Sequence, residues 1–224
     1  MMKHTSSTIT ILTSGLSELG IKAADDIPGK FETYLHELKK WNRAYNLTAL
    51  KDDEEIITKH FLDSFLYLKV MPNSPIPPLE KGGKRGFEIC DIGSGAGFPG
   101  IPMAIVRPEL TVALIEPSRK KTAFLRHMKN RLSLQNIEVI ESRIEDVKDR
   151  LFDIAVTRAL FSVGDLIKKA GHILKEDGFF VLNKGPKFED EIKDISGDVK
   201  FEIFPIALPG ASLQRNLIKV YFKR

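Results

Sequence analysis

The sequence holds a single cysteine, Cys90, in 224 residues. No disulfide can close within the chain, and zinc sites built from cysteine clusters are excluded. A reducing compartment, the cytoplasm, is the expected setting. No run of about 18 apolar residues occurs, so no membrane-spanning helix is expected. The first fifteen residues carry one short apolar stretch, Ile9 to Leu12, which is too brief for the core of a secretory signal. Extreme charge is also missing. Thirty-four lysines and arginines against 30 acids leave an excess of four, which permits a nucleic-acid partner without demanding one. With 42% hydrophobic and 29% charged residues, the composition is that of a globular protein and not of a disordered chain.

What is present falls into two rhythms. Up to residue 70 the apolar spacing is helical. Ile9, Leu12, Leu16 and Leu19 recur at three- and four-residue steps, with Gly20 as a stop. Phe31, Tyr34, Leu35, Leu38, Trp41 and Tyr45 share one helical face, and Ile57, Phe61, Phe65 and Leu68 repeat the pattern over Glu54 to Val70. Residues 1–70 therefore predict an N-terminal helical extension. Residues 71–86 hold four prolines and three glycines and predict a linker or exposed loop. From 87 to 224 short apolar runs alternate with helical stretches: Phe87–Ile92, Thr111–Ile115, Ile137–Ile140, Asp153–Val156 and Gly178–Leu182. Such alternation predicts a parallel sheet with helices on both faces. Phe201–Ile206 and Leu217–Phe222, around Pro209-Gly210 with no helix between, predict an antiparallel hairpin at one edge. The whole reads as a Rossmann-like α/β domain with a mostly parallel seven-stranded sheet, joined to the helical extension in one compact unit.

The central motif runs from Asp91 through Gly93, Gly95, Gly97 and Phe98 to Gly100. It follows an apolar strand and opens a helix, so the backbone can approach a ligand without side-chain obstruction. Gly95, Gly97 and Gly100 satisfy the dinucleotide spacing, and Glu116 lies where a ribose-binding acid belongs. Taken alone, this supports NAD about as well as S-adenosylmethionine. The local charge favours the latter. A pyrophosphate at the helix start would meet the Asp91 carboxylate at short range, whereas an ammonium and a sulfonium suit it. Glu116 is then expected to accept hydrogen bonds from both ribose hydroxyls.

The acceptor is narrowed by what the chain does not supply. Carbon-5 methylation of a pyrimidine needs a cysteine nucleophile, and Cys90 sits inside an apolar strand. Exocyclic amines commonly call for an Asn/Asp-Pro-Pro-aromatic loop after the fourth strand, which here begins Thr157-Arg158. No lysine base for ribose transfer stands at the corresponding point. Guanine N7 has a free lone pair and needs no proton removed, so positioning and charge management suffice and no catalytic base is named. A small-molecule acceptor with a free lone pair passes the same filter, and a non-catalytic RNA-binding module remains a further reading.

Two features point to RNA. Ser118 to Arg131 carries Arg119, Lys120, Lys121, Arg126, Lys129 and Arg131 and no acid. Phe124, Leu125, Met128 and Leu132 form its apolar stripe, so the cations are expected to fan outward toward phosphates. Lys184 ends the fifth strand, where ligands bind in open α/β sheets, and is a candidate for substrate phosphate or base. His60 and Asp63, three residues apart, are too few for a metal site, and a local hydrogen bond between them is expected instead. No metal is expected.

The ordered set Trp41-Asn42-Arg43-Ala44-Tyr45-Asn46-Leu47-Thr48, His60-Phe61-Leu62-Asp63-Ser64 and Asp91 through Pro102 resembles the small-subunit ribosomal RNA methyltransferase G family, also called glucose-inhibited division protein B. Glu116-Pro117-Ser118, Ser142-Arg143-Ile144-Glu145, Thr157-Arg158, Lys184-Gly185 and Arg215 extend the likeness to the carboxyl end. The resemblance implies a class I methyltransferase that transfers a methyl group from S-adenosylmethionine to N7 of one guanine, position 527, in the 530 stem-loop of 16S ribosomal RNA. Loss of that methyl is associated in the family with low-level streptomycin resistance. It implies cofactor contacts at Gly93, Phe98, Glu116, Pro117, Ser118, Ile144, Glu145 and Arg158, and RNA or substrate contacts that include Asn46, His60 and Arg215. The partner would be 16S RNA, the 30S subunit or an assembly intermediate, met by a monomer. Residues 79–86 make the linker longer than is usual in the family.

Overall fold

The computed structural model describes residues 2–22, 24–72, 86–158, 160–185, 188–193, 195 and 199–222, with side chains from residue 7 onward. The expected linker lies almost wholly outside the described residues.

Helix α1 (Met2–Glu18) and helix α2 (Ile27–Tyr45) come first. Pro28 in the first turn of α2 costs the helix no hydrogen bond, because that amide would have no intrahelical partner. The expected stripe of α2 is buried at Phe31, Tyr34, Leu35 and Leu38. It runs out at Tyr45, which is 43% exposed. The third helical stretch is less regular than its spacing predicts. Helix α3 (Asp53–Ile56) is capped by the Asp52 side chain on the Glu55 amide. It runs on into a π-helical segment (Ile57–Leu62), helix α4 (Asp63–Phe65) and a 3-10 turn (Leu66–Lys69). Nor does it keep one polar face. His60, Asp63 and Ser64 are buried with the apolar residues, because α1 and α2 cover one side and the sheet the other. Contact with α1 is so close that a Cβ at Gly15 would fall 2.5 Å from Leu62.

The sheet contains β1 (Glu88–Ile92), β2 (Thr111–Ile115), β3 (Ile137–Ile140), β4 (Phe152–Arg158), β5 (Leu174–Lys184), β6 (Val199–Ala207) and β7 (Gln214–Phe222). Their order is β3-β2-β1-β4-β5-β7-β6. The first five are parallel, and β7 enters antiparallel between β5 and β6. The expected hairpin is thus present at the edge. Strand β5 begins four residues before its expected start, since Lys175, Glu176 and Asp177 hide its apolar pattern.

Side chains alternate across the sheet. Ile89, Val112, Val156 and Val181 face a layer made of α1 to α4, α5 (Gly100–Val106) and α6 (Arg119–Arg131). Cys90, Ile92, Ala155, Phe180 and Leu182 face the opposite core with α7 (Val163–Ala170), beside the short α8 (Glu189–Ile192). The helical segment before residue 72 therefore shares one core with the sheet. No described helix is long and apolar enough to cross a membrane.

Phe65 is fully buried at the centre of that shared core, edge-on to Phe31 with ring centroids 5.6 Å apart. Phe65→Ala should lower stability by roughly 3–5 kcal/mol, read in urea unfolding followed by the fluorescence of Trp41, the one tryptophan.

Candidate active site

The winding of the sheet reverses between β1 and β4, and the crevice beyond the carboxyl ends of such strands is where α/β proteins bind ligands. A cleft of about 410 Å³ opens there, within the roughly 300–1,000 Å³ of small-molecule sites. Ile92 and Gly93 from the end of β1 line it, with Ile115, Glu116 and Pro117 from β2 and Ile144 and Glu145 beyond β3. Lys121 reaches it from α6. Ser142, Arg143, Leu160, Phe161 and Lys169 complete the wall. The sequence assigned none of these last five a role in the site, although Ser142 and Arg143 belong to the run that carries the family likeness. All but Lys169 lie just past a strand end, the signal that could have found them.

The glycine loop is held from within. The amides of Gly93 and Ser94 donate to Ile115 O at 2.8 and 3.2 Å, and those of Gly97 and Phe98 to Ser94 O at 2.7 and 3.1 Å. Gly95 N donates to Glu116 Oε2 at 2.9 Å and Gly100 N to Asp91 Oδ2 at 2.8 Å. Ile101 N donates to Gly97 O at 2.8 Å, and Pro99 has no amide. A dinucleotide pyrophosphate is gripped by free amides at this helix start. Here the amides of Gly93, Ser94, Gly95, Gly97, Phe98, Gly100 and Ile101 are engaged, which counts against the NAD reading of the glycine spacing. A ligand without phosphate is compatible with such a loop. Gly93, at φ 69°, is a cradle: a Cβ there would lie 2.3 Å from the Leu160 side chain. The donor set fits S-adenosylmethionine, with the Glu116 carboxylate on the wall and Lys169 paired to Glu145 at 2.5 Å. Both Glu116 oxygens already accept an amide, from Gly95 and from Ser118 at 3.0 Å. Each retains a second lone pair for a hydroxyl.

Asp91 departs from its expected place. Strand alternation puts it on the same face as Ile89, under the loop, and it is absent from the cleft wall. It is fully buried, and Oδ1 has no hydrogen-bond partner. Burial pushes its pKa up to about 7, against the Gly100 amide and the Arg158 charge. Gly95 and Gly97 likewise serve loop geometry, at φ 58° and 95°.

Phe98 is the hub of the cleft's neighbour. Its ring stacks on Tyr34 at 5.4 Å and on His60 at 4.5 Å, with the Arg158 guanidinium 5.5 Å from its centroid. Tyr34 pins the loop from the helical layer through its hydroxyl to Ala96 O, 2.5 Å. His60 Nδ1 lies 3.0 Å from Arg158 Nη1 and 3.1 Å from Lys59 O, and Nε2 shares a hydrogen bond with Thr48 Oγ1 at 2.7 Å. Burial, then the Arg158 charge, pushes the His60 pKa down to about 3.

The expected His60–Asp63 hydrogen bond is not formed. Asp63 turns instead to the strand ends, accepting from Arg215 Nε at 2.6 Å and Asn183 Nδ2 at 3.1 Å, with Arg158 at 3.7 Å. No metal-holding group of histidine, cysteine or acid occurs among the described residues. Lys184 is not free for substrate: its ammonium donates to Phe161 O at 2.5 Å and pairs with Glu191 at 2.7 Å. On α6, Phe124, Leu125, Met128 and Leu132 are buried, and Arg119, Lys120 and Arg126 are exposed. Arg126 is paired with Glu141 at 2.9 Å. Asn46 belongs to a separate cleft.

Residues 28–218 match the family described as rRNA small subunit methyltransferase G (GidB). A ribosomal RNA small subunit methyltransferase G of Chromobacterium violaceum is 36% identical over 211 residues, covering 93% of this chain and 95% of that one. Its Coxiella burnetii namesake is 36% identical over 210 residues, covering 93% and 96%. The crystal structure of a ribosomal protein L11 methylase from Lactobacillus delbrueckii subsp. bulgaricus superimposes with a TM-score of 0.50 at 16% identity, covering 78% of this chain and 81% of that one. That likeness concerns the fold.

A carboxyl with a raised folded-state pKa holds its proton more tightly when folded, so its stabilisation is lost as pH rises toward that value. The stability of wild type minus that of Asp91→Asn should fall from pH 3.8 to about 7 and then level off, in urea titrations at stepped pH. A flat difference would mean that folding leaves the Asp91 pKa unshifted.

Proposed function

The chain belongs to the rRNA small subunit methyltransferase G family, and on that premise we propose that it methylates N7 of a guanine, position 527 of the 530 loop, in 16S ribosomal RNA. Its cofactor is S-adenosylmethionine, which when bound supplies an electrophilic methyl group on a cationic sulfur.

One observation carries the choice of acceptor: four candidate bases beside the cleft, His60, Lys184, Asp63 and Asp91, are all engaged or buried. Both ring nitrogens of His60 are engaged within the protein, Nδ1 beside Arg158 and Lys59 O and Nε2 on Thr48, and burial holds its pKa near 3. Lys184 is engaged with Glu191, and Asp63 is enclosed by Arg215, Asn183 and Arg158. Asp91 lies beneath the loop, out of reach. A nucleophile with a free lone pair, such as guanine N7, needs none of them. The residues then contribute placement and charge. Gly93, Glu116, Ile144 and Glu145 form the donor cleft. Arg158 and His60, fixed on the face of Phe98, form the rim toward the acceptor. Arg119 and Lys120, exposed on α6, with Lys121 at the cleft, offer cations to RNA phosphates. We take the enzyme to act as a cytoplasmic monomer on 16S RNA or a 30S particle, with the base extruded from its stack.

Mapping modified nucleotides in 16S RNA from cells with and without the protein should show one N7-methylguanosine lost on deletion. Loss of a different modification, or of none, would overturn the assignment. Neutralising Arg119, Lys120 and Lys121 should slow RNA methylation, whereas unchanged turnover would favour a small-molecule acceptor.

Glu116→Ala should weaken adenosylhomocysteine binding by roughly 1–3 kcal/mol, the loss expected for hydrogen bonds to a charged group. Calorimetry on the folded variant tests this, and unchanged affinity would remove Glu116 from the cofactor site.

A further inference from the structure

A second cleft, of about 670 Å³, opens between the C-terminal half of α2 and the segment 46–51. Its wall carries three cations, Lys39, Arg43 and Lys51, and no acid. Lys39 is held by Asp53. Among the described residues neither Arg43 nor Lys51 enters an ion pair, and both are exposed. Two unneutralised cations facing one concavity repel each other and attract an anion. Leu38, Leu50 and Ile56 give the cleft an apolar floor, so charge and apolar surface meet as the phosphate and the base of a nucleotide require.

The cleft is also rigid. Asn42 clamps Thr48 at both ends of its backbone, donating to its carbonyl and accepting from its amide, each at 2.9 Å. Asn46 closes α2 in the left-handed conformation, at φ 51°. Thr48, on the wall, shares a hydrogen bond through Oγ1 with His60 Nε2 at 2.7 Å, and Arg158 lies 3.0 Å from His60 Nδ1. A three-residue hydrogen-bonded chain therefore joins this cleft to the rim of the methyl-transfer site. Tyr45, at the same end of α2, is 43% exposed and offers a stacking surface of the kind used for unpaired bases.

We propose that this cleft is a second RNA site, which holds a nucleotide of the substrate strand flanking the methylated base, its phosphate set against Arg43 and Lys51. The inference rests on the RNA reading above and adds where the strand is gripped. A flanking grip supplies the counterforce that keeps an extruded base at the rim, since the base itself offers few phosphate contacts.

The test uses the full chain with Arg43→Ala and Lys51→Ala, singly and together, and an unmodified 16S RNA transcript. Methyl transfer and filter binding are followed over a salt series. The double variant should raise the KM for RNA several-fold and leave kcat and adenosylhomocysteine affinity as in wild type. The slope of log affinity against log salt should become shallower by about 0.7 for each single-strand phosphate contact removed. Arg43→Lys with Lys51→Arg should restore that slope, which a merely structural role would not do. An unchanged KM and slope in the folded double variant would overturn this inference and leave the proposed function standing. A wild-type protein that neither binds nor methylates the transcript would overturn both. Displacement from the cleft by an acidic peptide but not by RNA would assign it to a protein partner and overturn the RNA site.

Discussion

Asp63 is the charge on which the architecture turns. It comes from the helical layer, is 1% exposed, and is met by Arg215 from β7, Asn183 from β5 and Arg158 from β4. A buried carboxylate is costly unless its oxygens are matched by cations and donors. These three partners lie at neighbouring strand ends, so satisfying the charge fixes the helical layer over the mouth of the sheet. Tyr67 adds a second tie, donating to Thr157 O at 2.8 Å. Arg158 is the shared member: it answers Asp63 below and presents its plane to Phe98 and its N–H to His60 above. Arg158 therefore links the ion group that docks the helices to the rings of Phe98 and His60.

The glycine loop obeys a related constraint. Its amides are turned inward, to strand carbonyls and to two carboxylates, Asp91 beneath and Glu116 beside. This arrangement removes the free donors that a phosphate would need, while leaving acidic oxygens near the cleft. The loop's internal hydrogen bonds, more than any single charge facing the ligand, thus argue against a phosphate-bearing cofactor. The unpartnered Asp91 oxygen and its raised pKa are the cost of keeping a carboxyl under the loop.

The cations proposed to meet RNA differ in what they are free to do. Arg126, Lys184 and Lys39 have acidic partners, whereas Arg119, Lys120, Arg43 and Lys51 are exposed. Counting basic residues along α6 overstates its charge, since Glu141 comes from beyond β3 to neutralise part of it. The free cations lie on two elements, α2 with its following loop and α6. Trp41 on α2 packs against Phe124 and His127 of α6, with ring centroids 5.5 and 5.1 Å apart, which keeps the two elements side by side.

Much of the fold was legible because local rules decide it. The two-residue and 3.6-residue periods marked five of the seven strands to within two residues at their starts, and the hairpin was readable from a proline–glycine turn with no helix around it. Strand β5 hid behind Lys175, Glu176 and Asp177, since charges at a sheet's end disguise a strand whose later half is buried. The glycine motif, Glu116 and the basic stripe of α6 were legible for the same reason: their meaning depends on near neighbours. The sequence alone thus determined the α/β sheet, the position of the ligand loop and the family resemblance. Tertiary structure alone decided what covers the face that Asp91 shares with Ile89, that Asp63 leaves His60 for Arg215 and Asn183, that Lys184 is tied to Glu191, and that a basic cleft opens beside Thr48. Each of these pairs residues that the chain order leaves unspecified. Periodicity fixes which side of an element a residue occupies, and only packing fixes what stands opposite it.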